Sequence, residues 1–197
     1  MRSQLESVPP SSCVCVCARA CMPVLLRRWP FCTYTVTGWT LLTLRYICSV
    51  VGLTSIASII RFPSMCMATI TVVVWWCVLF PAFMSMLDAE GKAGFLRFNK
   101  NGLLINLHLL NLPLALLDVY VHPRTLTLFD LWVAFLIAFL YMLFYVLVLD
   151  RRGIHIYIIF SPRTAFFAVS VAAVAAMYAG VFRVFGAYSS MSLNNKL

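Results

Sequence analysis

The sequence predicts an all-α fold, a polytopic helical bundle built to live in a bilayer. Composition is the first reason: 63% of the 197 residues are hydrophobic, only 11% are charged, and the mean hydropathy is +0.95. A soluble domain carries nearer a quarter of its residues charged, so this chain could not keep its surface wet. Patterning is the second. Five apolar runs each hold the ~20 residues that a helix needs to cross ~30 Å of hydrocarbon. Lipid tolerates no unpaired backbone, and nothing in the chain shows the ten-residue alternation of a membrane barrel, which leaves helices. The third reason is a polar stripe, His108, Asn111 and Asp118, set within one of those runs.

Taken in order, the five expected spans are Tyr34–Ile60, Met65–Met86, Gly102–Val121, Leu128–Leu149 and Thr164–Val184. Residues 1–33 form a Cys-rich segment whose apolar part, Cys13–Leu26, is short and carries Arg19 and Pro23. It reads as an interfacial segment or a degenerate extra helix. The spans make one transmembrane domain, 34–188, with no soluble domain and no internal repeat. Asp88–Asn101 is its longest loop, and 189–197 is expected to be a frayed polar tail. Ile154–Phe160, too short to span, is expected to lie along the interface. Thr164–Val184 is rich in Ala, Ser and Gly, which let helices approach closely, so it is expected at the centre of the bundle. The large side chains of Leu128–Leu149 suit a lipid-facing helix.

The net charge of +9 is informative by position. Ten of the fifteen basic residues precede the first span or lie in the loops 2–3 and 4–5; Arg61, Arg124 and Lys196 fall on the other side. The positive-inside rule then puts the N-terminus in the cytoplasm. An endoplasmic-reticulum or plasma-membrane address fits such a chain. The basic residues form no stripe or tract, so nucleic acid is not an expected partner; the bilayer is. Of eight cysteines, Cys13, Cys15, Cys17 and Cys21 crowd the amino end without the CxxC spacing or histidines of a metal site. No metal and no cofactor is called for.

Ionisable groups inside a membrane helix are costly unless they face protein or a wet cavity. At 100° per residue, His108, Asn111 and Asp118 fall within one arc of roughly 80°. The first span contributes Thr37 and Thr40 at helical spacing, with Arg45 further along. Counted from the cytoplasmic side, Thr37 lies roughly 5 Å deep and His108 roughly 9 Å deep, so neighbouring helices would bring them to one level. A neutral imidazole can take the proton of a threonine hydroxyl and make it a nucleophile, which suffices for acyl transfer. Asn111, one turn from His108, is the candidate orienter. Asp118, ten residues away, is better placed to pair with Arg45. Two other readings use the same residues: helix-to-helix glue in a non-enzymatic scaffold or regulator, and a path for small ions.

Several motifs in order resemble one family. Thr37-Gly38-Trp39-Thr40-Leu41-Leu42 is similar to the threonine–tryptophan opening of the androgen-induced and androgen-dependent TFPI-regulating proteins. The stretch from His108 through Leu112-Pro113 to Asp118 resembles that family's histidine helix. Phe62-Pro63, Asp88-x-Glu90 and Gly153-x-x-x-Tyr157 fall in the matching order, and the resemblance covers about Thr33 to Val184. It implies a transmembrane threonine hydrolase that cleaves fatty acid esters of hydroxy fatty acids. Thr37 would then be the catalytic nucleophile and His108 its base, with Asn111, Asp118 and Arg45 in support. The substrate would be a lipid ester arriving from the leaflet.

Overall fold

The computed structural model describes residues 33–122, 124–154, 157 and 161–194. The Cys-rich segment 1–32, His155 and most of the stretch expected along the interface lie outside them. The described residues are helical, with no strand among them.

Helix α1, Tyr34–Val50, starts at Thr33, whose hydroxyl accepts from the Val36 N–H. It stops ten residues earlier than the apolar run predicts. The Leu53 N–H donates to Cys48 O and the Gly52 N–H to Ser49 O, with Gly52 at φ +82°. That is a Schellman closure, and it needs a residue at ease in the left-handed region. The chain then reverses into α2, Thr54–Met86. The expected break near Phe62-Pro63 is therefore corrected: Pro63 is inside α2 and buried, and Arg61, expected in a loop, is inside it too at 8% exposure. A proline within a membrane helix is tolerated where neighbouring helices cover the freed backbone.

Asp88–Asn101, expected as a loop, forms a helix. Helix α3, Ala89–Asn99, is capped by Asp88, whose carboxylate accepts from the Gly91 N–H at 2.8 Å. A Cβ on Gly91 would stand 2.8 Å from that carboxylate oxygen, so a larger residue there would have to displace the cap. Helix α4 spans 102–121, α5 is Leu128–Arg152, and α6 is Phe167–Asn194. Within α5 a capping box joins Thr127 and Asp130. The part of the expected frayed tail that is described, Ser189–Asn194, continues α6.

Side-chain contacts fix the helix directions. Asp118 near the end of α4 meets Arg61 near the start of α2, and His108 near the start of α4 stacks on Trp75 towards the end of α2. Phe62 meets Phe182 edge-on, and Phe135 stacks on Tyr178. Helices α1, α4 and α6 thus run one way, α2 and α5 the other. One end of the bundle gathers Thr33, α3 and the α5–α6 connection; the other gathers Gly52, His122 and the C-terminal part of α6. Three helices, α2, α5 and the stretch Phe167–Met191, are long and apolar enough to cross a membrane. At 17 residues α1 is about 25 Å long.

The central element is α2, which packs on α1, α4, α5 and α6. The core joins Leu42, Phe62, Cys66, Ala134 and Tyr178, each at most 2% exposed. The expectation that the Ala-rich last helix sits centrally is corrected. Helix α6 reaches the core with large residues, Tyr178, Phe182 and Phe185, while Val169 and Val184 stay exposed. Small residues help only on the face that meets a neighbour. Helix α5 does present its large side chains outward, with Trp132 and Phe139 exposed.

Helix α1 lies close on α2: a Cβ on Gly38 would stand 3.2 Å from the Met67 Cβ. In a bilayer, lipid tails replace water and packing must hold such contacts. Gly38→Ala is expected to cost about 1 kcal/mol and Gly38→Leu about 3 kcal/mol, as overpacking does. Thermal unfolding in detergent should rank the midpoints wild type, Ala, Leu; equal midpoints would refute the close contact.

Candidate functional site

The α4 stripe is buried: His108 is 9% exposed, Asn111 1% and Asp118 6%. Around His108 the helix is not α but π, over Asn106–Leu110. Pro113 explains this locally. It has no N–H for the carbonyls of Leu109 or His108, four and five residues back, so the turn before it widens. The Trp76 indole N–H fills one of those gaps by donating to His108 O at 2.9 Å. Its neighbour Trp75 stacks on the imidazole, ring centroids 4.1 Å apart. The Trp75 indole N–H donates to Asn99 Oδ1 at 3.1 Å, and Phe95 packs against Trp75 from α3. Helix α3 therefore braces the tryptophan that covers His108. Trp75 and Trp76 also lie in a π turn, Val74–Leu79.

His108 Nδ1 lies 3.3 Å from Leu104 O, one turn back in its own helix. With the proton on Nδ1 for that carbonyl, Nε2 carries the lone pair. Asn111 does not orient the ring. Its amide, on the same helix face, has no hydrogen-bond partner among the described residues, and neither has the buried Thr71 hydroxyl.

Thr37 is half-buried and donates to Thr33 O at 3.0 Å; Thr40 is exposed and donates to Val36 O at 2.9 Å. No hydrogen bond joins Thr37 to His108 among the described residues. Gly38 packs on Met67 and His108 on Trp75, and those two α2 residues stand a little over two helical turns apart. Helix α1 nevertheless packs against the π turn that holds His108. The buried threonine of α1 is Thr35, which lies beside the phenol of Tyr157. Burial pushes that phenol up to about 12. Gly153, at φ +73°, ends α5 and turns the chain towards Tyr157, whose carbonyl accepts from Tyr145 Oη at 2.8 Å.

Asp118 has two arginine partners. Arg45 Nη2 lies 2.5 Å from Oδ1, as the sequence reading anticipates, and Arg61 Nε donates to Oδ2 at 2.8 Å. Arg61 Nη2 also donates to Asp118 O and to His122 O. Three helices thus share one ionic knot, with side chains no more than 10% exposed. The imidazole of His122 is 70% exposed. Asp130 takes Arg124 at 2.5 Å. Arg61, Trp75 and Trp76 escaped the sequence reading. The signal for Arg61 was the Gly52 reversal, which moves Arg61 from loop to helix. Nothing in the sequence singles out the two tryptophans.

The chain matches no protein-family model, no curated protein and no solved structure. Among the described residues no group of His, Cys, Asp and Glu could hold a metal ion.

Removing the carboxylate charge would leave two guanidinium groups buried without it. Asp118→Asn is expected to destabilise the fold by about 3–5 kcal/mol, as a broken buried ion pair does. The double variant Asp118→Asn/Arg61→Gln should recover part of that loss, read as the unfolding midpoint in mixed micelles.

Proposed function

We propose that this chain is an integral membrane protein of five spans, with α1 and α4 crossing beside the three longer helices. In this reading it hydrolyses fatty acid esters of hydroxy fatty acids and is a divergent relative of the androgen-induced protein family. Thr37 is the nucleophile and His108 the base. The observation that carries the reading is the imidazole of His108. It is buried under Trp75, its Nδ1 is engaged by Leu104 O, and its other nitrogen is left to accept a proton on a π turn against which α1 packs. Such π turns recur at functional sites. For the chemistry, Thr37 must turn its hydroxyl from Thr33 O and close on His108 Nε2, a tightening that often waits for substrate. The hydroxyl then adds to the ester carbonyl, and the hydroxy fatty acid leaves as the alcohol with the proton from His108. Water, deprotonated by the same nitrogen, releases the acyl group from Thr37. The charge distribution favours a cytoplasmic N-terminus, which would set the site towards the cytosolic leaflet of the endoplasmic reticulum or plasma membrane.

A second reading is favoured by the hydrogen bond from Thr37 to Thr33 O. In it the chain is a non-enzymatic scaffold or regulator and the stripe only joins helices. Ion conduction fits less well, because two arginines already occupy Asp118.

A fluorophosphonate probe distinguishes the readings. Wild-type protein is expected to label, and Thr37→Ala and His108→Ala to lose labelling by about 10²-fold or more. Labelling unchanged in Thr37→Ala ends the hydrolase reading in favour of the scaffold.

A further inference from the structure

Buried polar side chains nearly always have a hydrogen-bond partner. The amide of Asn111, 1% exposed, and the hydroxyl of Thr71, 5% exposed, have none among the described residues. Thr37, Thr40 and Thr69 each donate to the carbonyl four residues back in their own helix, whereas the Thr71 hydroxyl is held off its backbone. The steps assigned to Thr37 and His108 use neither group.

Helix register explains why the amide is unmatched. Asn111–Val121 is regular α-helix, and seven residues turn it through all but about 20° of two full turns. Asn111 therefore points as Asp118 does, about 10 Å further along. Asp118 lies between Arg45 of α1 and Arg61 of α2. Seven residues from each arginine, in the same direction along the bundle, stand Gly38 and Ala68, both buried. The layer that is ionic at Asp118 thus recurs at Asn111 with two residues that have no polar side chain to offer. One turn beyond Ala68 is Thr71. It is four residues before Trp75 and shares its side of α2, the side that meets His108. Thr37 adjoins Gly38, and His108 is three residues from Asn111.

We propose, on the hydrolase reading above, that the Asn111 amide and the Thr71 hydroxyl bind the carbonyl oxygen of the lipid ester and take up its charge when Thr37 attacks. The Thr37 oxygen bonds to the carbonyl carbon and its proton passes to His108 Nε2. The carbonyl π pair moves onto the oxygen, which accepts from Asn111 Nδ2–H and from the Thr71 hydroxyl. That pair returns when the bond to the hydroxy fatty acid breaks, and the departing oxygen takes the proton from His108. Donors fixed in a dry site before charge develops act strongly, because nothing has to reorganise. While unbonded they lower stability, the reverse of what helix-joining hydrogen bonds do.

The test is the rate of fluorophosphonate labelling, in which the phosphonyl oxygen takes the place of the ester carbonyl oxygen, read beside the unfolding midpoint in mixed micelles. Asn111→Leu should slow labelling by about 10²-fold. Thr71→Val should slow it by about ten-fold, with Thr71→Ser close to wild type. Both apolar variants should unfold no lower than wild-type protein, since each removes a buried polar group that has no bond. Wild-type labelling rates in Asn111→Leu and Thr71→Val overturn the proposal and leave the hydrolase reading standing. Slow labelling with a lower midpoint in both variants also overturns it and makes the pair helix glue. Should Asn111→Leu fail to fold, Thr71→Val against Thr71→Ser decides alone. Wild-type protein that does not label, or labelling that survives Thr37→Ala, removes the hydrolase reading and this site with it.

Discussion

One carboxylate holds this bundle in register. Asp118 on α4 takes Arg45 from α1 and Arg61 from α2, and the arginine on α2 goes on to two backbone carbonyls at the end of α4. A charge that far from water is costly alone, so each partner requires the others. Apolar packing in lipid is poorly directional, because the solvent is as greasy as the core. The ionic knot supplies the direction. It fixes which turns of α1, α2 and α4 face one another, and with them the level at which His108 meets Trp75.

From that register follow two chemically different ends. Towards Thr33 and α3 the helices loosen into π turns at Val74–Leu79, Asn106–Leu110 and Tyr145–Leu149, and the polar groups around His108 are indoles and an amide, with the buried Asp150 and its partner Arg163 at the α5–α6 connection. Towards Gly52 and His122 the polar groups are ionic. A buried base with one engaged nitrogen suits proton transfer, whereas a knot of guanidinium groups and carboxylates suits anchoring.

Much of this was legible in the sequence. The apolar runs gave the helices, and the 3.6-residue period placed His108, Asn111 and Asp118 on one buried face, with Arg45 as a partner of Asp118. The misses share a cause: hydropathy counts residues without reading turn chemistry. Gly52 passes as apolar, so the end of α1 disappeared into a run that continued to Ile60. Pro63 looked like a boundary because proline breaks helices in water, yet α2 absorbs it. Asp88 and Gly91 announce a capped helix in a stretch whose charge suggested a loop. The small residues of α6 pointed inward only on paper, since nothing in the sequence says which face a neighbour will use. The relation between Thr37 and His108 was beyond sequence reasoning for another reason. It depends on how α1 is set against α4 and on the Thr37 hydroxyl bonding back to Thr33 O, and the residue pattern specifies neither.

The Gly52 reversal makes α1 and α2 a hairpin that is complete before α4 exists. Of its two arginines, the later one, Arg61, is synthesised 57 residues ahead of the aspartate that both bind. At 5–20 residues per second that is a wait of roughly 3–11 s. During it, Arg45 and Arg61 have no native counter-charge, and the hairpin cannot settle fully into hydrocarbon. Under the five-span proposal, insertion of this chain is therefore not a series of independent helix entries. The first two helices must linger where water or the insertion machinery can shelter their cations, and the arrival of α4 releases them.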